Sequence, residues 1–237
     1  MKPTSIIFFI LLGVSSLKAQ VNPQNARFYI GASFGTSFSL GDFKDTDINN
    51  PDAGFADDGT KFDVYGGFYL NDRVTLTGTL RYQTFDADIG GLVQQFSEEN
   101  PGVSFSGSTG NWDVYSLLIG TAYKVNISKK FSVFPRIGMG PMIVNNPGLA
   151  VSSPDVAFTQ NFSRSSESGF GINFEIGIGL KTNLGKHFAL MPAFTYSGGI
   201  ATVKDVVTTT DNIAITDDLD ARIQSFNLGI SLACRFY

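Results

Sequence analysis

One cysteine and one histidine are all that this 237-residue chain holds of the two residue types that most often build metal and nucleophile centres. The single Cys234 excludes an intramolecular disulfide and any multi-cysteine metal site. With only His187, a Ser-His-Asp triad or a histidine metal site would have to be assembled around one residue, and His187 follows a short turn, where a structural role is expected. Charge is also sparse, at 16% of residues, against roughly 25% in an ordinary soluble domain. The formal charge is −4, which argues against nucleic acid as a partner. No catalytic residue, metal ligand or cofactor site is assigned, and no enzymatic activity is expected.

Long apolar runs are missing too. The longest, Ile6–Val14, is far short of the ~20 residues of a membrane-spanning helix. It follows Lys2 and precedes Ser15, Ser16 and Leu17-Lys18-Ala19, the layout of a secretory signal peptide with cleavage after Ala19. Residues 1–19 are therefore expected to be a signal peptide for Sec-type export, and 20–237 a single domain. Sustained helical periodicity is not evident beyond that point.

Period-two alternation is abundant instead. From Phe28 one set reads Phe28, Ile30, Ala32, Phe34, Thr36, Phe38, and the interleaved set reads Tyr29, Gly31, Ser33, Gly35, Ser37. One face is apolar and the other small and polar, as a strand with two different surroundings requires. The pattern predicts eight strands at about 27–41, 61–70, 74–85, 112–125, 131–144, 169–181, 187–198 and 222–237. Short connections (71–73, 126–130, 182–186) alternate with long ones (42–60, 86–111, 145–168, 199–221), the asymmetry of an up-and-down membrane barrel with tight periplasmic turns and long outer loops.

Short turns fix strand register. Pairing Leu70 with Val74 sets Phe62 against Tyr82 and Asp63 against Arg81; pairing Val125 with Phe131 sets Tyr115 against Pro141 and Ile119 against Ile137; pairing Lys181 with His187 sets Ile176 against Pro192 and Phe174 against Phe194. Large apolar residues meet on one face each time. A soluble barrel with an apolar lumen would also alternate, but its water-facing side would carry abundant Lys, Glu and Asp; here that side is mostly Gly, Ser and Thr. An eight-stranded lumen is filled by its own side chains, which argues against a diffusion pore. Small residues and isolated ion pairs suit it, with the Phe, Leu and Ile face toward lipid. Asp63 and Arg81 are expected to pair inside it, and Arg136 and Glu175 to meet at similar height. Pro135, Pro141 and Pro192 should produce local bulges.

This pattern, together with the aromatic C-terminus Cys234-Arg235-Phe236-Tyr237, resembles the small outer-membrane barrels of the OmpA and OmpX type, and in style the PorT-like barrels of Bacteroidota. The resemblance covers the whole chain after the leader. It implies residence in the outer membrane of a Gram-negative bacterium, contact with its lipid, and recognition of Phe236 or Tyr237 by the barrel-assembly machinery. Nothing follows the eighth strand, so no peptidoglycan-binding domain is expected. The role implied is envelope integrity or loop-mediated surface interaction; the alternative is an accessory barrel for secretion or envelope assembly. Seventeen of the 21 acidic residues lie in the long connections, whereas the short ones carry Arg73, Lys129, Lys130 and Lys186 against Asp72. Asp45-Thr46-Asp47-Ile48-Asn49 begins like a calcium loop, but Asn50 and Ala56 stand where Gly and Glu are needed; weak binding of divalent cations by the acidic loops is left open.

Overall fold

The computed structural model describes residues 27–47, 50, 52–128, 131–153, 161–185, 187–210 and 213–236. The expected signal peptide, Tyr237, and Lys129, Lys130 and Lys186 lie outside them. The strands are β1 (Phe28–Ser39), β2 (Ala56–Tyr69), β3 (Val74–Ala87), β4 (Ser106–Thr109), β5 (Trp112–Tyr123), β6 (Val125–Asn126), β7 (Phe131–Asn145), β8 (Leu149–Ser152), β9 (Asn161–Arg164), β10 (Ser168–Leu184), β11 (Phe188–Leu190), β12 (Ala193–Thr210) and β13 (Ile213–Phe236), with one helix, α1 (Ile89–Glu99). All thirteen strands belong to one antiparallel sheet. Its long ladders run β1–β2–β3–β5–β7–β10–β12–β13, and β13 pairs with β1 along the whole of that strand.

Burial alternates along most of the length of these strands. In β1 the inward set is buried except at the half-buried Gly35, and the large exposed residues are Phe28, Ile30, Phe34 and Phe38. The same inversion of a soluble protein's pattern holds for Leu76 and Leu80 in β3, Ile137 and Met139 in β7, Ile172 to Leu180 in β10 and Phe226 to Leu232 in β13, all exposed. The buried set there is Ser, Thr, Asn, Gly and a few charges, so the apolar face points outward and the small polar face inward.

Several expectations are corrected. Five short strands stand beside the long ones: β4, β8, β9 and β11 arise inside segments read as loops or as one strand, and β6 forms just past β5. Residues 199–221 are largely strand: β12 and β13 continue as a hairpin to Thr210 opposite Ile213, and Thr and Val residues there favour it. Residues 89–99 are helical, with Ile89, Leu92, Val93 and Phe96 on one face and Asp88 Oδ1 accepting a hydrogen bond from Gly91 N at 2.9 Å as the N-cap. That spacing was legible but short, and two glycines hid it.

The first hairpin sets Phe62 opposite Tyr82 and Asp63 opposite Arg81. The second differs from expectation by two residues, with Tyr115 opposite Ile143 and Ile119 opposite Met139, because β6 prolongs the ladder so that Val125 meets Val133. The third differs by four, with Ile176 opposite Tyr196 and Phe174 opposite Gly198, because β10 runs on to Leu184 and reverses at Gly185, whose φ of +81° is open to glycine. Both slips are even, so partners change while faces do not.

The prolines act by omission rather than by bulging. The β5–β7 ladder skips Pro141 and Pro135 yet keeps one register on either side, and at Met191–Pro192 the strand is simply interrupted between β11 and β12. A missing N–H removes a bond without inserting a residue. The register shifts that do occur lie at Ala56–Gly59 in β2 and at Val203–Val206 in β12, where Asp205 has a φ of +57°.

Candidate functional site

The lumen is layered, and the topology dictates the layers. The inward charges at mid-height belong to β2, β3, β7 and β10. Lys61 Nζ lies 2.8 Å from Asp63 Oδ2, Asp63 Oδ1 accepts from Arg81 Nε at 2.8 Å, and Arg81 Nη2 in turn contacts Glu175 Oε2. Arg136 Nη2 then reaches Glu175 Oε1 at 2.8 Å. A single chain of charges, Lys61–Asp63–Arg81–Glu175–Arg136, thus crosses the interior. The structure brings together all four residues singled out from the sequence. It adds Lys61, which reasoning from turns missed although its spacing of two from Asp63 puts it on the same face. Arg81 Nη1 and Arg136 Nε are buried without a hydrogen-bond partner, and Arg136 borders a cavity of about 40 Å³ with Tyr65, Glu175 and glycines 120, 138 and 179.

Above this layer is an amide and hydroxyl net. Gln83 Nε2 donates to Ser37 Oγ at 3.0 Å and Asn227 Oδ1 at 2.9 Å, Asn227 Nδ2 donates to Ser197 Oγ at 2.9 Å, and Asn173 Nδ2 donates to Ser116 Oγ at 3.0 Å. Below it are Tyr29, Tyr65 and Tyr69 with Met191. Gly31 and Gly67 are what admit these rings: a Cβ on Gly67 would stand 2.4 Å from the Tyr29 ring and one on Gly31 2.7 Å from that of Tyr65.

Higher still the polarity reverses. Phe85, Trp112, Val114, Met142, Val144, Val203 and Ile223 point inward and are fully buried, with Phe43 from the first long connection inserted among them. The Phe43 ring meets Phe85 edge-on at 5.0 Å and Trp112 at 5.4 Å, and Trp112 Nε1 donates to Gly54 O at 2.8 Å. At this height β2, β3 and β13 turn Asp58, Thr60, Asp86 and Arg222 outward, all exposed and polar, while Ile143 of β7 and Ile200 of β12 stay outward and apolar. The sequence reading of a small, polar inner face therefore fails at this end: the lumen closes with an apolar plug.

Beyond the plug the long connections form a platform. β4, β8 and β9 add to the projecting part of β12. Ala53, Phe55, Ala87, Leu92, Leu149 and Val151 make a second core, against which Ile89, Val93 and Phe96 of α1 pack. Arg222 ties the first connection to β13 through Asp42 at 3.2 Å and Asp52 at 3.1 Å. Asp45 spends its carboxylate on Asn50 Nδ2 at 2.7 Å and Asp47 N at 3.1 Å, and the amide bond holds its pKa below the usual carboxylate range. Burial of Arg164 on β9 pushes its pKa down. His187, at the opposite end, is exposed and accepts at its carbonyl from Arg235 N at 2.7 Å.

The family model described as "Outer membrane protein beta-barrel domain" matches residues 7–236. The chain belongs to that family. It is accordingly an outer-membrane protein, and the apolar outward face is the face its lipid meets. Among solved structures, a major outer membrane protein from Thermus thermophilus aligns with 14% identity over 88% of this chain and 99% of that one, with a TM-score of 0.50, a likeness of fold alone. Neisserial surface protein A aligns at 12% identity over 88% and 97% of the two chains with a TM-score of 0.45, and Ail of Yersinia pestis at 15% over 88% and 99% with 0.43. No curated protein sequence matches the chain.

Proposed function

We propose that this protein is a non-enzymatic, eight-stranded transmembrane barrel whose work is done by a folded outer platform that contacts partners at the cell surface. β1, β2, β3, β5, β7, β10, β12 and β13 are the wall. The turns after β2, β6 and β10 face the periplasm, and the long connections face outward. The observation that carries the reading is the platform itself: α1, β4, β8 and β9 share a buried core that stands beyond the apolar band, and mere connecting loops have no need of one. The plug argues against conduction, since a lumen filled by Phe43, Phe85 and Trp112 leaves no water path. From the platform the β12–β13 hairpin presents Ile213 and Ile215, 67% and 63% exposed, beside Asp217, Asp218 and Asp220, a mixed surface suited to a cationic partner with an apolar contact.

A PorT-like accessory role in secretion or envelope assembly would instead place the contacts at the turns. Export by the Sec route and recognition of Phe236 and Tyr237 by the assembly machinery accord with either role; Phe236 stacks on Phe28 at 4.7 Å where the ladder closes. Replacing residues 88–111 and 146–167 by short turns separates the two. A surface role predicts a barrel that still reaches the outer membrane with heat-shifted gel mobility but has lost adhesion or surface binding; an accessory role predicts unchanged secretion or envelope phenotypes.

A further inference from the structure

At the turn end the lumen does not close but opens into a cleft of about 440 Å³ lined by Lys124, Asn126, Ser132, Lys181, Asn183 and Arg235. Every one of these continues an inward-facing set: Lys124 and Asn126 that of β5, Ser132 that of β7, Lys181 and Asn183 that of β10, Arg235 that of β13. The cleft is thus the mouth of the lumen and no part of the outer wall. Among the described residues no carboxylate lines it, and Lys124, Lys181 and Arg235 form no ion pair with any of them. The ionic layer above differs, because each of its cations has a carboxylate.

The contrast is sharpest at Lys181, 8% exposed. Its ammonium donates to Tyr69 Oη at 2.8 Å and lies 5.4 Å from the Phe134 ring centroid. Arg235 is held by Gly185 O at 2.7 Å, while its Nε is buried with no partner. A cation so enclosed without a counter-charge is costly unless an anion completes the site. Ser132 Oγ donates to Asn126 Oδ1 at 3.0 Å, which leaves the amide N–H groups of Asn126 and Asn183 beside fixed cations, the chemistry that recognises phosphate oxygens.

We propose that this vestibule binds a phosphate ester presented from the periplasmic side. The proposal rests on the membrane-barrel reading for its orientation. The ester's source is either a soluble molecule or a phospholipid headgroup of the inner leaflet, and both offer the same phosphate.

The test uses the full chain refolded in phosphatidylcholine nanodiscs, with backbone amide resonances followed during titration with glycerol phosphate and, in a second arm, in discs doped with phosphatidylglycerol. Saturable shifts confined to residues 124–126, 181–183 and 235 are expected. Lys124→Gln should weaken binding roughly tenfold, the loss of one charge-assisted hydrogen bond, Lys181→Met should abolish it, and Lys44→Gln on the platform should change nothing. Shifts produced only by the doped discs identify a lipid headgroup; shifts with glycerol phosphate identify a soluble ester. A linear response that sodium chloride reproduces overturns the proposal. Heat-shifted mobility of each variant is recorded alongside, so that failure to form a membrane barrel is distinguished from an empty vestibule.

Discussion

Two halves of one wall are built to opposite rules. Along β3 the outward residues Leu76 and Leu80 are exposed and apolar while the inward Thr79 and Arg81 are buried and polar; four residues further on, Thr84 and Asp86 are outward and polar while Phe85 and Ala87 are buried. β13 changes in the same way, from Phe226 and Leu228 outward over Ser225 and Asn227, to Asp220 and Arg222 outward over Ala221 and Ile223. β3 and β13 each run as one strand through the change and keep the same residues inward, so the cause is the solvent on the outside. Where lipid surrounds the wall, apolar side chains face it and the narrow interior must satisfy its own polar groups. Where water surrounds it, an ordinary apolar core returns. Tyr82 and Tyr115, with ring centroids 5.0 Å apart and planes tilted by 31°, sit near the crossing, where amphipathic rings are at home.

The ionic layer offers the largest expected effect. Arg81→Met removes the cation that Asp63 and Glu175 share and leaves each with one partner, Lys61 or Arg136, in a poorly hydrated lumen, and breaking such a buried pair costs about 3–5 kcal/mol; Glu175→Gln should be of the same order. Adding Asp63→Asn to Arg81→Met should restore part of the loss, measured by urea unfolding in vesicles. Equal stability of all three variants would mean that the lower lumen is wet and that its polarity is not enforced by lipid outside.

Outward positions sharpen the contrast next. Ile176→Arg, 55% exposed in the apolar band, should cost about 2–4 kcal/mol, whereas Thr84→Arg, on the same kind of face above the crossing, should stay within about 0.5 kcal/mol. Phe43→Ala addresses the plug. It removes a buried ring worth about 3 kcal/mol of packing, but the loss should fall on the platform, which becomes protease-sensitive while heat-shifted mobility persists. The smallest effect is Asp88→Ala, which removes the N-cap of α1 at about 1 kcal/mol and should increase amide exchange in residues 89–99 alone.

Legibility in the sequence follows the same division. Alternation and the Asp63–Arg81 register could be read because a three-residue turn leaves one pairing and because outward and inward residues differ in kind. The second and third hairpins were legible as to face but not partner, since the alternation is unchanged by an even slip. The plug was not legible: Trp112, Val114, Met142 and Val144 interleave with Tyr115, Ile143 and other apolar residues, so alternation fades where both faces carry apolar groups. The platform was hidden for another reason. Its strands are four residues long and gain their order from the shared core of Phe55, Leu92, Leu149 and Val151, which are distant in sequence.

The central claim is that the crossing of polarity marks the edge of the membrane. Nitroxide labels placed singly at residues 76, 78, 80, 82, 84 and 86 in liposomes, read against lipid-soluble oxygen and a water-soluble nickel reagent, test it directly. The account predicts oxygen-dominated relaxation at 76, 78 and 80, a switch near 82, and nickel-dominated relaxation at 84 and 86. Nickel accessibility at all six positions would contradict it.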